Sequence, residues 1–588
     1  NTITLSGGGS LVSGGMTLNN AQSKLLLNSI TLDSASTSAN SLGLDVDGNS
    51  AITSLSVGHI TPVTIKANKS LSGSITVTAG SIKLGETGTL ASTVSMSGGT
   101  LDADNNLTLS GALTQSGNIT IDVAENKTLG YSGAAVNLGA KTLTMSGKGT
   151  FNNTNALVLS NASSKLLLDN TTTVGSVSTS LASSGIDVNE SSTITSLAVG
   201  HTTPVSIASG KTLSGGITVT GGSIKLGETG TLASTVSMSG GTLDADNNLT
   251  LSGALSQSGN ITIDVAETKI LTYEGSTIKI GSSELTILGG GTFSNNTKPL
   301  ELDNGQSQLN LSGINVSYIR TSSNSLGITV DNSSTVNELL VRHVTPVSIY
   351  PNQSLSGSFK IYQNSNLKLN NTGTLAANVA ISGLGGKVEV QKSMIFSGSL
   401  QQVDQHEGFE LLIASGKTMT YSGSEFGIGD HTFKLSGGGT FNNANNLTLN
   451  NSGSKLAISE STKISHLLVS ASNTNGGMTI SSSGSSSTGN LVENLTLSDS
   501  FYVSSDVAWA AGNSTADATL TLLSNKNVNF GSLTLTGSAD LSLGTTDITL
   551  SVANPVTANN TQKLQNGGGS LDFVGGLTLK SGSELIGQ

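Results

Sequence analysis

The stretch SIKLGETGTLASTVSMSGGTLDADNNLTLSGAL at residues 81–113 decides the fold, because the same letters return unchanged at residues 223–255. The two copies start 142 residues apart, and the same spacing separates the segments VGHITPVTI, VGHTTPVSI and VRHVTPVSI, which begin at Val57, Val199 and Val341. A unit of 142 residues therefore stands in tandem. Such arrays build stacks in which each piece contacts mainly its neighbours along the chain.

Within a unit, apolar and polar residues alternate over short runs such as LTL at Leu107–Leu109 and ITIDV at Ile119–Val123. This alternation with period two is typical of β-strands, and Gly, Asn and Ser interrupt each run before a helix could form. The chain is therefore predicted to be all-β.

The strand and turn rhythm continues across the unit boundaries without the polar or Pro-rich hinges that separate sandwich domains. This continuity favours a parallel β-helix, or β-solenoid, over a row of β-sandwiches or a propeller. With roughly twenty residues per turn of the coil, as in short solenoid repeats, one unit makes about seven turns. At about 4.8 Å per turn, a unit rises by about 34 Å.

Four repeats are predicted, at residues 1–140, 141–282, 283–430 and 431–588. The third is longer than the second by six residues, since Phe293 and Phe441 are 148 residues apart. We predict an insertion near 384–408 that bulges out as a loop. The fourth repeat diverges after Ser470, and it contains Phe501, Tyr502 and the only tryptophan, Trp509, which form a candidate binding patch.

Composition limits the partners and the compartment. Only 11% of the residues are charged and the net charge is −11, so no basic patch for nucleic acid is expected. No run of about eighteen apolar residues is present, and no membrane span is predicted. The chain has no cysteine, which is compatible with an exported bacterial protein. We expect a secreted protein at the cell surface.

Asp102 and Asp104, with their copies Asp244 and Asp246, have an oxygen-rich spacing that Ca²⁺ would accept. Aspartate is also common in turns, where its side chain bonds to the backbone. We therefore expect exposed turn residues and no cofactor, with a weak Ca²⁺ site as the alternative.

Two further groups of residues are candidate sites. His59, His201 and His343 recur once per unit and are predicted to belong to a repeated corner with Thr-Pro, since a lone histidine is weak evidence for a metal site. The cluster Asp404, His406, Glu407 and Glu410 is predicted to be a solvated loop, with a site as the alternative. No catalytic residues are predicted.

The segment LSGGGTFNNANNLTLNNSGSKL, in which Gly-x-Gly-Thr-Phe turns precede x-Leu-x-Leu strands, resembles the passenger regions of bacterial autotransporters and filamentous-haemagglutinin-like adhesins. The resemblance lies in this pattern of turns and strands, and it spans most of the chain. It implies a right-handed parallel β-helix exported to the cell surface for adhesion, biofilm formation or a surface fibre.

The two ends of the chain are similar, since NGGGSLDFVGGLTL near residue 566 echoes GGGSLVSGGMTL near residue 7. We therefore expect copies to join head to tail through exposed strand edges. The residues predicted for this contact are Leu11, Met16, Leu18, Leu571, Leu577 and Leu579.

A structural rod that assembles into a fibre is the leading functional hypothesis. The alternative is an adhesin that binds a cell-surface or matrix polysaccharide, and a polysaccharide-active enzyme is the third reading.

Overall fold

The computed structural model describes the chain except residues 13, 383, 404–407, 452, 461, 470–477, 482–491, 498–500, 504–508, 517–519, 523–526, 536–540, 544–548, 553–555, 559–562, 567–569, 574–576, 580–583 and 588; from residue 469 onward it describes only the backbone of the strands. The fold is all-β, with no helix in the described residues, and forms a β-solenoid of about 23 turns. All strand ladders that join successive turns are parallel, as in Ser81–Leu84 on Thr100–Ala103. The predicted fold class is confirmed; the right hand of the coil stays a prediction.

Each turn contributes strands to three walls, which we call walls A, B and C. In one turn of the repeated stretch, these are Ser81–Leu84 in wall A, Thr89–Leu90 in wall B and Thr93–Met96 in wall C. In other turns, one bent strand serves both walls B and C. Thr31–Thr37 does so, because its first residues pair with Ser10–Leu11 and its last residues pair with Met16–Leu18.

The chain divides into two compact units, which are Asn1–Lys279 with Ser283–Lys298, and Ile280–Ser282 with Pro299–Gln588. Wall A of the first unit consists of Thr2–Ser6, Lys24–Asn28, Gly43–Val46, Thr61–Ile65, Ser81–Leu84, Thr100–Ala103, Ile119–Val123, Thr142–Gly147, Lys165–Leu168, Gly185–Val188, Thr203–Ile207, Ser223–Leu226, Thr242–Ala245, Ile261–Val265 and Glu284–Leu288. Wall A of the second unit consists of Gln308–Ser312, Gly327–Asn332, Val344–Ile349, Asn366–Leu369, Lys387–Val390, Glu410–Ile413, Thr432–Ser436, Lys455–Ser459 and Met478–Ser481.

Walls B and C of the first unit consist of Ser10–Leu11, Met16–Leu18, Thr31–Thr37, Ser50–Val57, Ser70–Val77, Thr89–Leu90, Thr93–Met96, Leu107–Leu109, Leu113–Gln115, Thr128–Tyr131, Val136–Asn137, Thr150–Asn153, Leu157–Leu159, Thr173–Thr179, Ser192–Val199, Thr212–Val219, Thr231–Leu232, Thr235–Met238, Leu249–Leu251, Leu255–Gln257, Ile270–Tyr273, Ile278–Lys279 and Thr292–Ser294.

Walls B and C of the second unit consist of Leu300–Leu302, Asn315–Thr321, Ser334–Val341, Ser354–Ile361, Thr374–Leu375, Asn378–Ile381, Met394–Phe396, Leu400–Gln402, Thr418–Tyr421, Phe426–Gly427, Thr440–Asn443, Leu447–Leu449, Lys463–Val469, Val492–Leu497, Trp509–Ala516, Asn527–Leu535, Thr549–Val552, Val556–Ala558, Ser570–Phe573 and Leu577–Leu579. A separate parallel sheet consists of Phe501–Val503, Leu520–Leu522, Leu541–Leu543, Lys563–Asn566 and Glu584–Gly587.

The core is a thin aliphatic column that follows from the alternation in sequence. In the strand Thr93–Met96, the side chains of Val94 and Met96 are fully buried, whereas those of Thr93 and Ser95 are exposed. Each fully buried aliphatic side chain stabilises the fold by about 1.5–3 kcal/mol. Up to residue 468, where side chains are described, successive turns bury such side chains against one another, so this part of the stack needs no thick core.

The predicted period is confirmed within the first unit. From Gly43–Val46 to its counterpart Gly185–Val188, wall A advances by seven turns. Once per repeat, the glycine that opens this strand has a positive φ, +81° at Gly43 and +89° at Gly185, and a Cβ there would lie about 2 Å from the carbonyl oxygen of a proline in the next turn.

The loop predicted near 384–408 stays a prediction, because residues 404–407 lie outside the described residues. Lys387–Val390, Met394–Phe396 and Leu400–Gln402 in this range are wall strands. Counted along the sequence, the third repeat has one residue more than the second at 362–365, two more at 382–386 and three more at 403–408. Corners absorb added residues because an insertion within a strand would turn its buried side chains outward.

Two adjacent glycines of one strand provide a matched test of the close stacking of turns. We expect Gly215→Ala to destabilise the protein by about 2 kcal/mol or more, because Gly215 has φ +116° and its new Cβ would lie 1.9 Å from the Ile194 carbonyl oxygen. Gly216→Ala should change the unfolding free energy by less than about 1 kcal/mol, since its nearest neighbour would be 3.4 Å away. Urea denaturation of both variants checks this, and equal effects would contradict the described stacking.

Candidate functional site

The outer face of wall A carries a ladder of charges built by the repeated stretch. Lys83 and Asp102 are neighbours in register on successive strands, and Asp122 follows Asp102 on the next strand. The Lys83 Nζ lies 3.3 Å from an oxygen of Asp102 and 3.3 Å from an oxygen of Asp104. In the second copy, the Lys225 Nζ lies 3.0 Å from Asp244.

The candidate calcium ligands thus lie beside lysine ammonium groups. Asp102 and Asp244 are strand residues, so their assignment to turns is wrong; the register of wall A places them opposite Lys83 and Lys225. Asp104 directly follows its strand. Across the part of the chain that the structure describes, no group of three His, Cys, Asp or Glu side chains is arranged to hold a metal ion.

Burial and neighbouring carboxylates raise the pKa values of two aspartates of this ladder. Burial raises the pKa of Asp102, the neighbouring Asp104 raises it further, and Lys83 acts in the opposite direction. Burial also raises the pKa of Asp264, with added repulsion from Asp244 and Asp246.

The third repeat replaces this aspartate ladder by better-paired glutamates. Glu389 lies 3.4 Å from Lys368 and 3.7 Å from Lys387, and it accepts a 2.7 Å hydrogen bond from the Asn366 amide. Burial alone would raise the pKa of Glu389, but the Asn366 hydrogen bond and the two lysines outweigh it, so the pKa is lowered.

Only Glu410 of the predicted Asp404, His406, Glu407 and Glu410 cluster lies within the described residues. Glu410 is a wall A residue that pairs with Lys434 at 3.2 Å and accepts a hydrogen bond from the Ser436 hydroxyl. Its pKa is lowered, because these two hydrogen bonds and the positive charges of Lys387 and Lys434 together outweigh the larger single effect of burial. Glu410 therefore takes part in a structural ion pair of wall A.

The aromatic residues of the candidate binding patch lie in strands. Phe501 and Tyr502 pair with Leu520 and Thr521, and Trp509 pairs with Val528 on a different ladder. The side chains lie outside the described part of the structure, so a joint patch stays a prediction.

The three repeated histidines occupy a corner, as predicted. His59, His201 and His343 are exposed. The backbone carbonyl of each accepts a hydrogen bond, of 2.9–3.1 Å, from the hydroxyl of the threonine two residues later. This bond fixes the turn that leads into the Thr-Pro strand of wall A.

The first turn of the chain presents an open strand edge. Thr2–Ser6 pairs with Lys24–Asn28, and no other described strand pairs with it. A cavity of about 270 Å³ at this edge is lined by Ile3, Met16, Leu18 and Leu25, among others. Leu18 is already buried at 4% exposure, whereas Ile3, which the sequence analysis missed despite its alternating TITL context, is 51% exposed.

The other residues predicted for the end-to-end contact lie in strands of walls B and C. Leu11 and Met16 are half-buried and pair with Leu32 and Ala35 of the second turn. At the far end, the backbones of Leu571, Leu577 and Leu579 pair with Leu550, Val556 and Ala558.

A polar position in wall C was missed by the sequence analysis. Gln115 pairs with the buried Met96, so it occupies an inward column, and its Nε2 donates a 3.1 Å hydrogen bond to the Leu138 carbonyl. Its Oε1 is buried without a hydrogen-bond partner. The signal in the sequence was glutamine at the third residue of each L-x-Q strand, at Gln115, Gln257 and Gln402.

Removing metal ions with a chelator tests whether lysine, and not a bound metal ion, balances the charge of the wall A aspartates. We expect excess EDTA to leave the melting temperature unchanged within about one degree, because Lys83 and Lys225 already occupy the positions beside the aspartates. A drop of several degrees in differential scanning calorimetry would show that a bound metal stabilises the native state.

Acidification should affect the two ladders in opposite directions. The raised pKa of Asp102 means that the folded chain binds this proton more tightly than the unfolded chain, so its contribution to stability rises as pH falls through the raised pKa. Glu389 and Glu410, with lowered pKa values, contribute stability above the ordinary pKa of glutamate and lose it as pH falls through their folded pKa.

Hydrogen exchange followed from about pH 7 to pH 3 should therefore show Lys387–Val390 losing protection relative to Thr100–Ala103, after correction for intrinsic exchange. Glu389→Gln should reduce this difference. Parallel changes in the two strands would contradict the opposite shifts.

In the part of the chain that the structure describes, no helix is long and apolar enough to cross a membrane. No known family model, curated protein or solved structure matches the chain.

Proposed function

We propose that this protein is an extracellular structural solenoid, which acts as a rod at the cell surface and joins end to end into a fibre. The supporting observation is that both copies of the repeated stretch form the same ladder. Ser81 pairs with Thr100 and Ser223 with Thr242, each followed by the same lysine and aspartate pair. Repetition therefore extends the walls without adding new chemistry.

Length is the property that such repetition changes. Seven turns per repeat at about 4.8 Å per turn add about 34 Å for each repeat. The turns carry stabilising contacts mainly to their neighbours, so added repeats lengthen the stack at little cost to its stability. Length is the property that a spacer or a fibre requires.

The end-to-end contact is supported by the direction of the backbone hydrogen bonds. Outward-facing residues donate to the preceding turn, as Thr78 does to Val57 and Ser97 to Val77, and inward residues donate to the following turn, as Val94 does to Ala112. By this alternation, the outward-facing Thr17 directs its N–H away from the second turn, toward the open edge. A strand placed there would continue the ladder and cover Ile3.

We propose that the last turn of a second copy supplies that strand, through the backbone around Leu571, Leu577 and Leu579. Such a contact joins different surfaces of the two copies, so it generates an open fibre unless the geometry closes a ring.

The secreted, cell-surface location is part of the same proposal. The absence of cysteine is compatible with it, because a stack stabilised by repetition needs no disulfide.

An adhesin is the second candidate, and one observation favours it. On wall C of the first unit, the outward positions carry mainly Ser and Thr, as in Ser54, Ser56 and Thr76. In the second unit, Tyr318 and Arg320 occupy the strand Asn315–Thr321 of this wall. Chemistry that changes along an otherwise repeated wall is expected of a surface that binds a partner.

Proline at the open edge tests the fibre. Thr17→Pro removes an N–H that no described strand uses, and proline is tolerated on such an edge, so the monomer should keep its fold and its melting temperature within a few degrees. Electron microscopy should then show fibres that are several-fold shorter or absent. Thr17→Ala, which keeps the N–H, should form fibres as the native chain does.

Two outcomes would contradict the end-to-end proposal. One is native protein that stays monomeric at high concentration, and the other is fibres of unchanged length in Thr17→Pro. Either result would make the adhesin the leading proposal.

A further inference from the structure

A group of large side chains stands on the outer face of wall C in the third repeat. We call it the wall C patch, and it consists of Tyr318, Arg320, Leu340, Arg342, Lys360 and Tyr362. These residues lie in or directly after the successive strands Asn315–Thr321, Ser334–Val341 and Ser354–Ile361. Leu340 pairs in register with Arg320 on one side and with Lys360 on the other, so the patch crosses three turns.

The first two repeats carry small residues at the same positions. The register is the same, since Ser178 pairs with Ala198 as Arg320 pairs with Leu340. Arg320 and Arg342 are the only arginines of the chain. The first repeat has only serine, threonine and glycine at the six positions, and the second has Ser176, Ser178, Ala198, Gly200, Thr218 and Thr220. The fold does not need large side chains there, so their presence in one repeat points to a partner.

Two cations of the patch lack a carboxylate partner. Arg320 has one, because its Nη2 donates a 2.9 Å hydrogen bond to the carboxylate of Glu301. Arg342 and Lys360 are exposed, and no ion pair in the described part of the chain includes either of them. The Arg342 guanidinium lies 4.8 Å from the centre of the Tyr362 ring, and this cation–π contact holds it at the surface. The patch therefore presents two unbalanced positive charges.

The composition and setting of the patch favour an acidic protein surface as its partner. Tyrosine and arginine are enriched where proteins bind one another, and Val344, two residues after Arg342, exposes an apolar side chain. Both edges of the strand Ser334–Val341 are paired, so an extended peptide cannot join this sheet as an additional strand. Two unbalanced cations are also fewer than the roughly 4–8 that bind an anionic membrane. Only one carboxylate, Glu338, stands in the three strands of the patch.

The wall A ladder of the first unit has the opposite imbalance. Three aspartates on two successive turns stand beside one lysine, Lys83, and they are Asp102, Asp104 and Asp122. The second copy of the ladder repeats this arrangement with Lys225, Asp244, Asp246 and Asp264. Repulsion between neighbouring carboxylates contributes to the raised pKa of Asp102 and of Asp264. Added cations would relieve this repulsion.

We propose that the wall C patch of one copy binds the wall A ladder of a second copy, so that two solenoids lie side by side. Arg342 and Lys360 supply the cations that the ladder lacks, and the two tyrosines add contact area. Successive turns of both surfaces have the same spacing of about 4.8 Å, so cations on successive turns meet carboxylates on successive turns. This lateral contact uses the outer faces of walls and no strand edge, and therefore does not depend on the end-to-end contact.

The test uses an equal mixture of unlabelled and isotope-labelled full-length protein, treated with a carbodiimide that joins lysine to a touching carboxylate without a spacer. Because single exposed ion pairs contribute little, we expect a dissociation constant on the order of 100 μM, and the protein is used at that concentration. Mass spectrometry should find cross-links between a labelled and an unlabelled chain, from Lys360 to Asp104, Asp122, Asp246 or Asp264. Cross-links between Lys83 and Asp102 should join residues of one chain and serve as the internal standard.

Arg342→Glu provides the specific variant, because it reverses one charge of the patch and keeps Lys360 as the reporter. We expect the mixed-chain cross-links from Lys360 to fall several-fold in this variant. About 0.5 M NaCl should lower them in the native chain as well, since salt screens exposed charges. Lys392→Glu is the matched control, because Lys392 is an exposed lysine of the same unit outside the patch, and its cross-links should equal those of the native chain. Both variants should keep the native melting temperature within a few degrees.

Three outcomes would overturn the proposal. They are the absence of mixed-chain cross-links from Lys360, mixed-chain cross-links from Lys360 only to carboxylates outside the ladder, and an unchanged yield in Arg342→Glu. None of these results bears on the proposed fibre, because its joint lies at the first and last turns and contains neither Lys360 nor the ladder.

Discussion

The structure depends on the parallel backbone ladder between one turn and the next. Outward residues donate their N–H groups to the preceding turn and inward residues donate to the following turn, as Thr78 and Val94 do, so each turn inside the described stack is held on both sides by its neighbours. This ladder fixes which side chains stack. It places Leu84 on Ala103 in the core and Lys83 on Asp102 at the surface, and it leaves unpaired groups wherever a neighbouring turn is missing.

The close spacing of the turns explains the composition. Strands of successive turns are about 4.8 Å apart, which leaves little room for side chains where the chain bends. At Gly43 and at Gly215, a Cβ would meet a backbone carbonyl of the adjacent turn. The described core consists mainly of aliphatic side chains such as those of Leu84 and Val94. Some of the buried aromatic rings stack between turns, as Tyr131 does on Phe151 with ring centres 5.8 Å apart.

Much of the fold could be predicted from the sequence, because the repeat spacing and the alternation are visible in it. The inward positions of Val94 and Met96 and the seven turns per repeat followed from these two patterns. The neighbours across turns could not be predicted, since the offset between stacked residues depends on corner length. It is 19 residues from Lys83 to Asp102 and 24 from Ile119 to Leu143. Without that offset, Asp102 was predicted to be a turn residue, and Gln115 was not recognised as an inward position.

The central claim is that the second repeat extends this solenoid by seven turns and leaves the ladder that it continues unchanged. Deleting residues 81–222 joins Gly80 to Ser223 and recreates the Gly-Ser junction that the chain already has at both places. Electron microscopy of single particles should then show a folded molecule of unchanged width that is shorter by about 34 Å, which is seven turns of about 4.8 Å. A particle of unchanged length, or a chain that no longer folds, would contradict the claim.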